Sequence, residues 1–230
     1  MPAKFDFHIH TRYSDGTTDH ATMIEAAVAR GLEAIAFTDH GPELSVGTKF
    51  KKLPQMLRDM EIAKEDADIT VLAGIEANVV DDQGNIDLED GFLKKLDIVA
   101  VGIHDLGTEN LIEMPQNYLL RATGAIKRRG VDVFCHPFYF DRDLTLDLSP
   151  EDVKEFVRLA AERGIAMEVN GKYKAPSDEF LALCLREGVK LSMGTDAHRP
   201  HEVGRIDWVL SVLKRVGARR QDLILDSFLR

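Results

Sequence analysis

The chain has 230 residues, 44% of them hydrophobic and 30% charged, with a formal net charge of −10. That length suits one α/β barrel domain spanning 1–230, and no apolar stretch reaches the roughly 18 residues of a membrane span. The acidic balance speaks against a general nucleic-acid binder, which carries a basic face. The opening MPAKFDF is not expected to act as a signal peptide, and two cysteines, Cys135 and Cys184, fit a reducing, cytoplasmic setting.

In chain order, KFDFHI (4–9) reads as a strand that ends in His-x-His, His8 and His10, with Asp15 in the Ser-Asp-Gly turn that follows. A helical stretch, MIEAAVAR, closes on Gly31, and the strand EAIAFT (33–38) runs into Asp39 and His40. The third strand, ITVLAGIEA (69–77), carries Glu76, and a hairpin-style extension around residues 81–85 precedes a short helix. LDIVAVGI (96–103) stops at His104. After Gly130, VDVFCH (131–136) ends at His136; on a regular strand Cys135 faces the other way, as a small buried hydrophobe. The helical VKEFVRLAAER leads through Gly164 into IAMEV (165–169) and Asn170. FLALCLRE leads through Gly188 into KLSMGT (190–195), with Asp196 and His198 just beyond. The four glycines are expected at left-handed helix C′ positions.

This βα alternation predicts a parallel sheet, and runs as apolar as IVAVGI predict strands covered on both faces. Every strand carries its polar chemistry at the C-terminal end. A closed barrel gathers those ends on one face, whereas an open doubly wound sheet would use only its switch point. The spacing therefore brings six imidazoles (His8, His10, His40, His104, His136, His198) and three carboxylates (Asp15, Glu76, Asp196) to one rim. Such a set without partners is costly to desolvate. Divalent metal ions remove that cost, and nine donors exceed what one or two ordinary sites use. Asp39 is expected to be a ligand or to orient a histidine. His20 and His201, near helix starts, are expected to be solvated or capping.

The motifs DFHIHTRYSDG (6–16), FTDHG (37–41), GIEAN (74–78), VGIH (101–104), CHP (135–137) and GTDAH (194–198) resemble the PHP (polymerase and histidinol phosphatase) superfamily over nearly the whole length. TDHGP, GIEAN and MEVN are most similar to its short, stand-alone branch of trinuclear-metal phosphatases. The resemblance implies a distorted (β/α)7 barrel and three metal sites. The first would use His8, His10, Glu76 and Asp196; the second Glu76, His104 and His136, with Glu76 bridging; the third Asp15, His40 and His198. The closest branch can carry a histidine where this chain has Asp15.

Three divalent ions and three carboxylates leave the pocket cationic, which suits a phosphate monoester, close to a dianion at neutral pH. The expected reaction is hydrolysis of small phosphorylated metabolites by a metal-bridging hydroxide. Glu76, Asp196 and His198 would serve the catalytic centre, and Arg12 and Arg199 would clamp phosphate. Lys172 is a further candidate for reaching the ligand, and Asp39, His198 or a metal-bound water for the general acid. Imidazole with carboxylate suits zinc first, with manganese or Fe(II) as alternatives. The competing readings are a histidinol phosphatase, a nuclease trimming DNA 3′ ends, a non-catalytic polymerase-type accessory domain, and a metal-dependent amidohydrolase. The last would call for eight strands and a carboxylated lysine on strand four.

Overall fold

Seven parallel strands wrap into a nearly closed barrel in the computed structural model, which describes residues 4–65, 67–108 and 110–229. They are β1 (Phe5–Ile9), β2 (Ala34–Phe37), β3 (Thr70–Asn78), β4 (Ile98–Gly102), β5 (Val133–Phe134), β8 (Ala166–Asn170) and β9 (Leu191–Gly194), hydrogen-bonded in that order. Between β5 and β8 lies a small antiparallel hairpin, β6 (Tyr139–Phe140) and β7 (Arg142–Asp143). The ring closes where β1 meets the segment after β9. There the His10 amide donates to the Ala197 carbonyl at 2.8 Å and the Ala197 amide to the His8 carbonyl at 3.2 Å.

The helices α1 (His20–Ala29), α2 (Leu53–Glu65), α3 (Asp90–Leu93), α4 (Met114–Lys127), α5 (Pro150–Arg163), α6 (Asp178–Glu187) and α7 (Asp207–Arg215) cover the outside. Their ends follow local chemistry. The Ser149 side chain caps α5 by accepting from the Asp152 amide at 3.1 Å, Pro150 takes the first turn, and Gly164 closes the helix at φ +71°. Gly31 and Gly188 also follow their helices at positive φ, whereas Gly130 takes its positive φ in the turn beyond α4, which ends at Lys127 with Arg128 extended.

Helix-facing strand residues such as Phe7 and Ile9 are fully or almost fully buried in the shared apolar core, so each strand is covered as its composition predicts. Among the described residues, no helix is long and apolar enough to cross a membrane. The expected extension after β3 forms, with Val79 bridging Ile86 and the Asp81 side chain gathering Asn85.

Two local expectations fail. The fifth strand stops at Phe134, because His136 turns to φ +30° and gives its amide to Glu168 Oε2 at 2.6 Å instead of continuing the ladder. The alternation of faces is lost there, so Cys135 and His136 both approach the barrel interior. The second concerns His20. It is not solvated; it is 4% exposed, with its ring against Tyr13 and Phe37 at centroid distances of 5.6 and 4.6 Å. Asp19 caps α1 in its place, accepting from the Thr22 amide at 3.1 Å.

Candidate metal centre

Glu76 lies at the middle of the C-terminal rim with 0% of its surface exposed. Its Oε2 is 3.3 Å from His8 Nε2, 3.7 Å from His10 Nε2 and 2.8 Å from His40 Nδ1. Its Oε1 is 3.3 Å from His104 Nε2 and 3.1 Å from His136 Nε2. The two oxygens therefore face two different groups of imidazoles. Gly102 permits this approach, since a Cβ there would fall 2.5 Å from Glu76 Oε1 and 2.6 Å from the His104 ring.

His10 also looks two ways. Its Nε2 is 3.5 Å from Asp196 Oδ1, while its Nδ1 is 4.0 Å from Asp15 Oδ1. Asp15 Oδ1 in turn lies 3.2 Å from His198 Nε2 and 3.9 Å from His40 Nε2. One donor atom from each of His10, Asp15, His40 and His198 falls within 4.8 Å of the others. The same holds for His8, His10 and Glu76, and for His40, Glu76 and His104.

The donor set passes a direct test of fitness for metal. His8 Nε2, both ring nitrogens of His10, His40 Nδ1 and Glu76 Oε2 are buried without a hydrogen-bond partner among the described residues, although they lie close together. Lone pairs that converge without pairing are costly unless a cation takes them up.

The charge balance agrees. Burial opposes ionisation of Glu76, yet the His8, His104 and His40 rings hold its carboxyl well below the usual range. Asp196 and Asp15 are likewise held low against their burial, Asp196 by His8 and His10 and Asp15 by His198. Burial and the neighbouring His40 ring push His10 down to about 4, so that ring is neutral at neutral pH and keeps one nitrogen lone pair.

Around the donors stands a layer the sequence reading missed. Glu168 Oε1 accepts from His8 Nδ1 at 2.7 Å, and its Oε2 accepts from the Asn170 side-chain amide at 3.1 Å. Glu168 shares the interior face of β8 with Asn170, two residues on; the signal was a carboxylate inside an otherwise apolar strand. Cys135 Sγ sits within 4.8 Å of His8 and Glu168 donor atoms, and burial pushes its thiol well up, so it stays protonated.

Asp39 is placed differently from either expectation. It accepts from the Thr11 amide and hydroxyl at 2.7 and 2.8 Å and from the Ser14 amide and hydroxyl at 3.1 and 2.7 Å. It thus folds the loop that returns Asp15 to the rim. The same fold sends Arg12 outward. Its guanidinium is 64% exposed, lies 3.8 Å from Asp19 Oδ2 and lines a groove beside His20 and Asp59, away from the donors. Arg199 is also exposed, and its amide donates to Glu202 Oε2 at 3.1 Å. Lys172 does reach the rim, with Nζ 3.1 Å from Asp196 Oδ1. His201 is exposed and near Glu202, as expected for a solvated residue.

The model of the PHP domain matches residues 6–211. The chain belongs to the PHP domain family. This PHP domain is 32% identical to a protein named "Probable phosphatase" from Thermoanaerobacter sp. strain X514, over 99% of this chain and 91% of that protein. It is 29% identical to the DNA polymerase/3′-5′ exonuclease PolX of Bacillus subtilis, over 85% of this chain and 34% of that one. Among solved structures, the histidinol phosphate phosphatase of Lactococcus lactis, complexed with zinc, L-histidinol and phosphate, superposes with a TM-score of 0.69. That match has 18% identity and covers 95% of each chain. The chain is a metal-dependent phosphoester hydrolase. Seven strands, with Glu76 on β3 and His104 after β4, do not match the eight strands and strand-four lysine that the amidohydrolase reading calls for.

Proposed function

We propose that this PHP domain hydrolyses small-molecule phosphate monoesters at a centre of three divalent ions, zinc first among them. His8, His10, Glu76 and Asp196 would hold the first ion, Glu76, His104 and His136 the second, and Asp15, His40 and His198 the third. The observation that carries this reading is Glu76, a fully buried carboxylate whose two oxygens face separate imidazole groups, with Oε2 and the His8, His10 and His40 nitrogens around it unpaired among the described residues. Divalent ions held there would activate water near neutral pH and take up charge on the phosphoryl oxygens.

The chain's own residues supply the rest. The His8 Nδ1–H donates to Glu168, and a metal ion at Nε2 would take the place of the proton that faces Glu76. His198 Nδ1–H donates to the Asp196 carbonyl at 2.8 Å, which turns its Nε2 toward Asp15. Asp196 and Glu76 stay ionised as anionic donors. Lys172, held at Asp196, adds a cation at the mouth where a phosphate dianion would enter; it takes the place expected for Arg12. The donors are imidazole and carboxylate without thiolate, a set that suits zinc and also accepts manganese or iron; the Lactococcus lactis structure holds zinc. Two free, buried cysteines fit a reducing cytoplasm.

The test is elemental analysis of the purified protein followed by a panel of phosphorylated metabolites. About three metal equivalents per chain and release of inorganic phosphate are expected, and the His8→Ala, His10→Ala double variant should lose metal and turnover together. Release of nucleotides from a DNA 3′ end with no turnover of monoesters would replace this reading with the exonuclease activity named for PolX.

A further inference from the structure

Beside His104 and His136 opens a cavity of about 240 Å³ whose other walls are Ile103, Tyr139, Phe140, Asp141 and Tyr173. The Tyr139 and Tyr173 rings stack on each other at 4.7 Å with planes 21° apart, and the Tyr173 ring meets His136 edge-on at 5.6 Å. We propose that this tyrosine pair is the specificity element for the alcohol part of the substrate and selects phosphate monoesters carrying a planar, uncharged aromatic group. The inference rests on the phosphatase reading and extends it to a substrate class.

Three observations carry it. First, the pair is fixed relative to the donors. The Tyr173 amide donates to Asn170 Oδ1 at 3.0 Å, and the Asn170 side-chain amide donates to Glu168, which also holds His8 and the His136 amide. Tyr139 sits on the β6–β7 hairpin, anchored where the Phe138 amide donates to the buried Tyr118 hydroxyl at 3.0 Å. An ester whose phosphorus lies at the donors would therefore place its leaving group against a rigid aromatic wall.

Second, the wall suits a ring. Aromatic groups prefer offset or edge contacts at centroid separations of about 4.5–7 Å, a range the tyrosine pair and its contact with His136 already occupy. Third, the charges at the cavity favour no charged class. Among the described residues its lining holds no lysine or arginine and one carboxylate, that of the exposed Asp141. Lys172, whose Nζ lies 5.3 Å from the Tyr173 ring centre, is opposite in sign to Asp141, so the two together give a charged leaving group of either sign no net attraction.

The experiment compares kcat/KM of the metal-loaded enzyme for benzyl, cyclohexylmethyl and 2-aminoethyl phosphate. The first two release primary alcohols of similar bulk, and comparing their ratio between the wild type and the tyrosine variants cancels the intrinsic difference in reactivity, so the change reports ring recognition. Benzyl phosphate should be preferred by about two- to tenfold. Tyr173→Leu and Tyr139→Leu, each checked for metal content, should bring the ratio close to one. Equal rates for the benzyl and cyclohexylmethyl esters, a preference for 2-aminoethyl phosphate, or a ratio unchanged in both variants would overturn the inference and leave the phosphatase reading intact. Absence of phosphate release from all three esters and from the metabolite panel would instead overturn the phosphatase reading, and this inference with it.

Discussion

Glu168 grips His8: its Oε1 takes the His8 Nδ1–H at 2.7 Å while its Oε2 accepts the His136 amide at 2.6 Å. One carboxylate thereby sets the tautomer of a donor on β1 and the backbone position of a donor after β5. The His136 φ of +30° is an unusual conformation for a residue with a Cβ, and it persists because the Glu168 contact pays for it. Glu168→Gln presents a donor where one of these hydrogen bonds needs an acceptor. Metal affinity should fall about 10- to 100-fold while the far-ultraviolet circular dichroism spectrum is kept. Competition against a chromophoric chelator measures this, and wild-type affinity would show that His8 and His136 are oriented without Glu168.

Gly102 tests the crowding around Glu76. Gly102→Ala places a methyl 2.5 Å from Glu76 Oε1 and 2.6 Å from the His104 ring, between two donors that cannot move apart without leaving the rim. Overpacking of this kind costs about 1–3 kcal/mol. Here the displaced atoms are donors, so bound metal and turnover should fall together with stability. Gly91→Ala, on the exposed face of α3 with nothing within 4 Å of the added carbon, is the matched control and should leave all three unchanged. Elemental analysis and urea unfolding of the two variants read the difference.

Much of the rim was legible because strand residues two apart share a face and parallel strands end on one side. His8 with His10, Glu76, His104 and Asp196 follow from those two rules alone. What stayed hidden depends on backbone turns that no residue type announces. His136, Phe138 and Asp141 all take positive φ without being glycine, so neither the inward turn of Cys135 nor the hairpin carrying Tyr139 shows in the pattern. Glu168 was masked by its apolar neighbours in AMEVN. Arg12 looked well placed by its distance along the chain from His10, but the four hydrogen bonds from Thr11 and Ser14 to Asp39 reverse its direction.

His20 gives the fold a pH dependence separate from the proposed metal centre. Its ring is buried, Nε2 has no hydrogen-bond partner among the described residues, and burial lowers its pKa from 6.5. The folded protein therefore holds the neutral ring, whereas the unfolded chain protonates near 6.5. With the folded value the lower one, this stability is fully present above that pH and is lost progressively as pH falls below it. His20→Phe, which keeps a ring between Tyr13 and Phe37, removes the term. Urea unfolding of both proteins from pH 7.5 to 5 should show a steeper loss for the wild type, and parallel curves would refute the assignment.

Asp39 tests whether the third proposed site depends on its loop. Thr11 and Ser14 direct two amides and two hydroxyls at this one carboxylate, and Asp15 leaves the loop immediately afterwards. Asp39→Ala strips the buried Thr11 amide and hydroxyl of their partner, a cost of about 1–3 kcal/mol for such a group. It also frees Asp15 to drift from His198 and His40. The donors around Glu76 come from strands that Asp39 does not hold by its side chain. The variant should therefore retain about two of three metal equivalents and lose most turnover. Asp39→Asn, which keeps one acceptor oxygen for the Thr11 and Ser14 amides, should fall between the two. Elemental analysis paired with turnover of one monoester distinguishes the outcomes: full metal loading with wild-type turnover in Asp39→Ala would mean the loop holds Asp15 unaided, and loss of all metal would mean the three sites form only together.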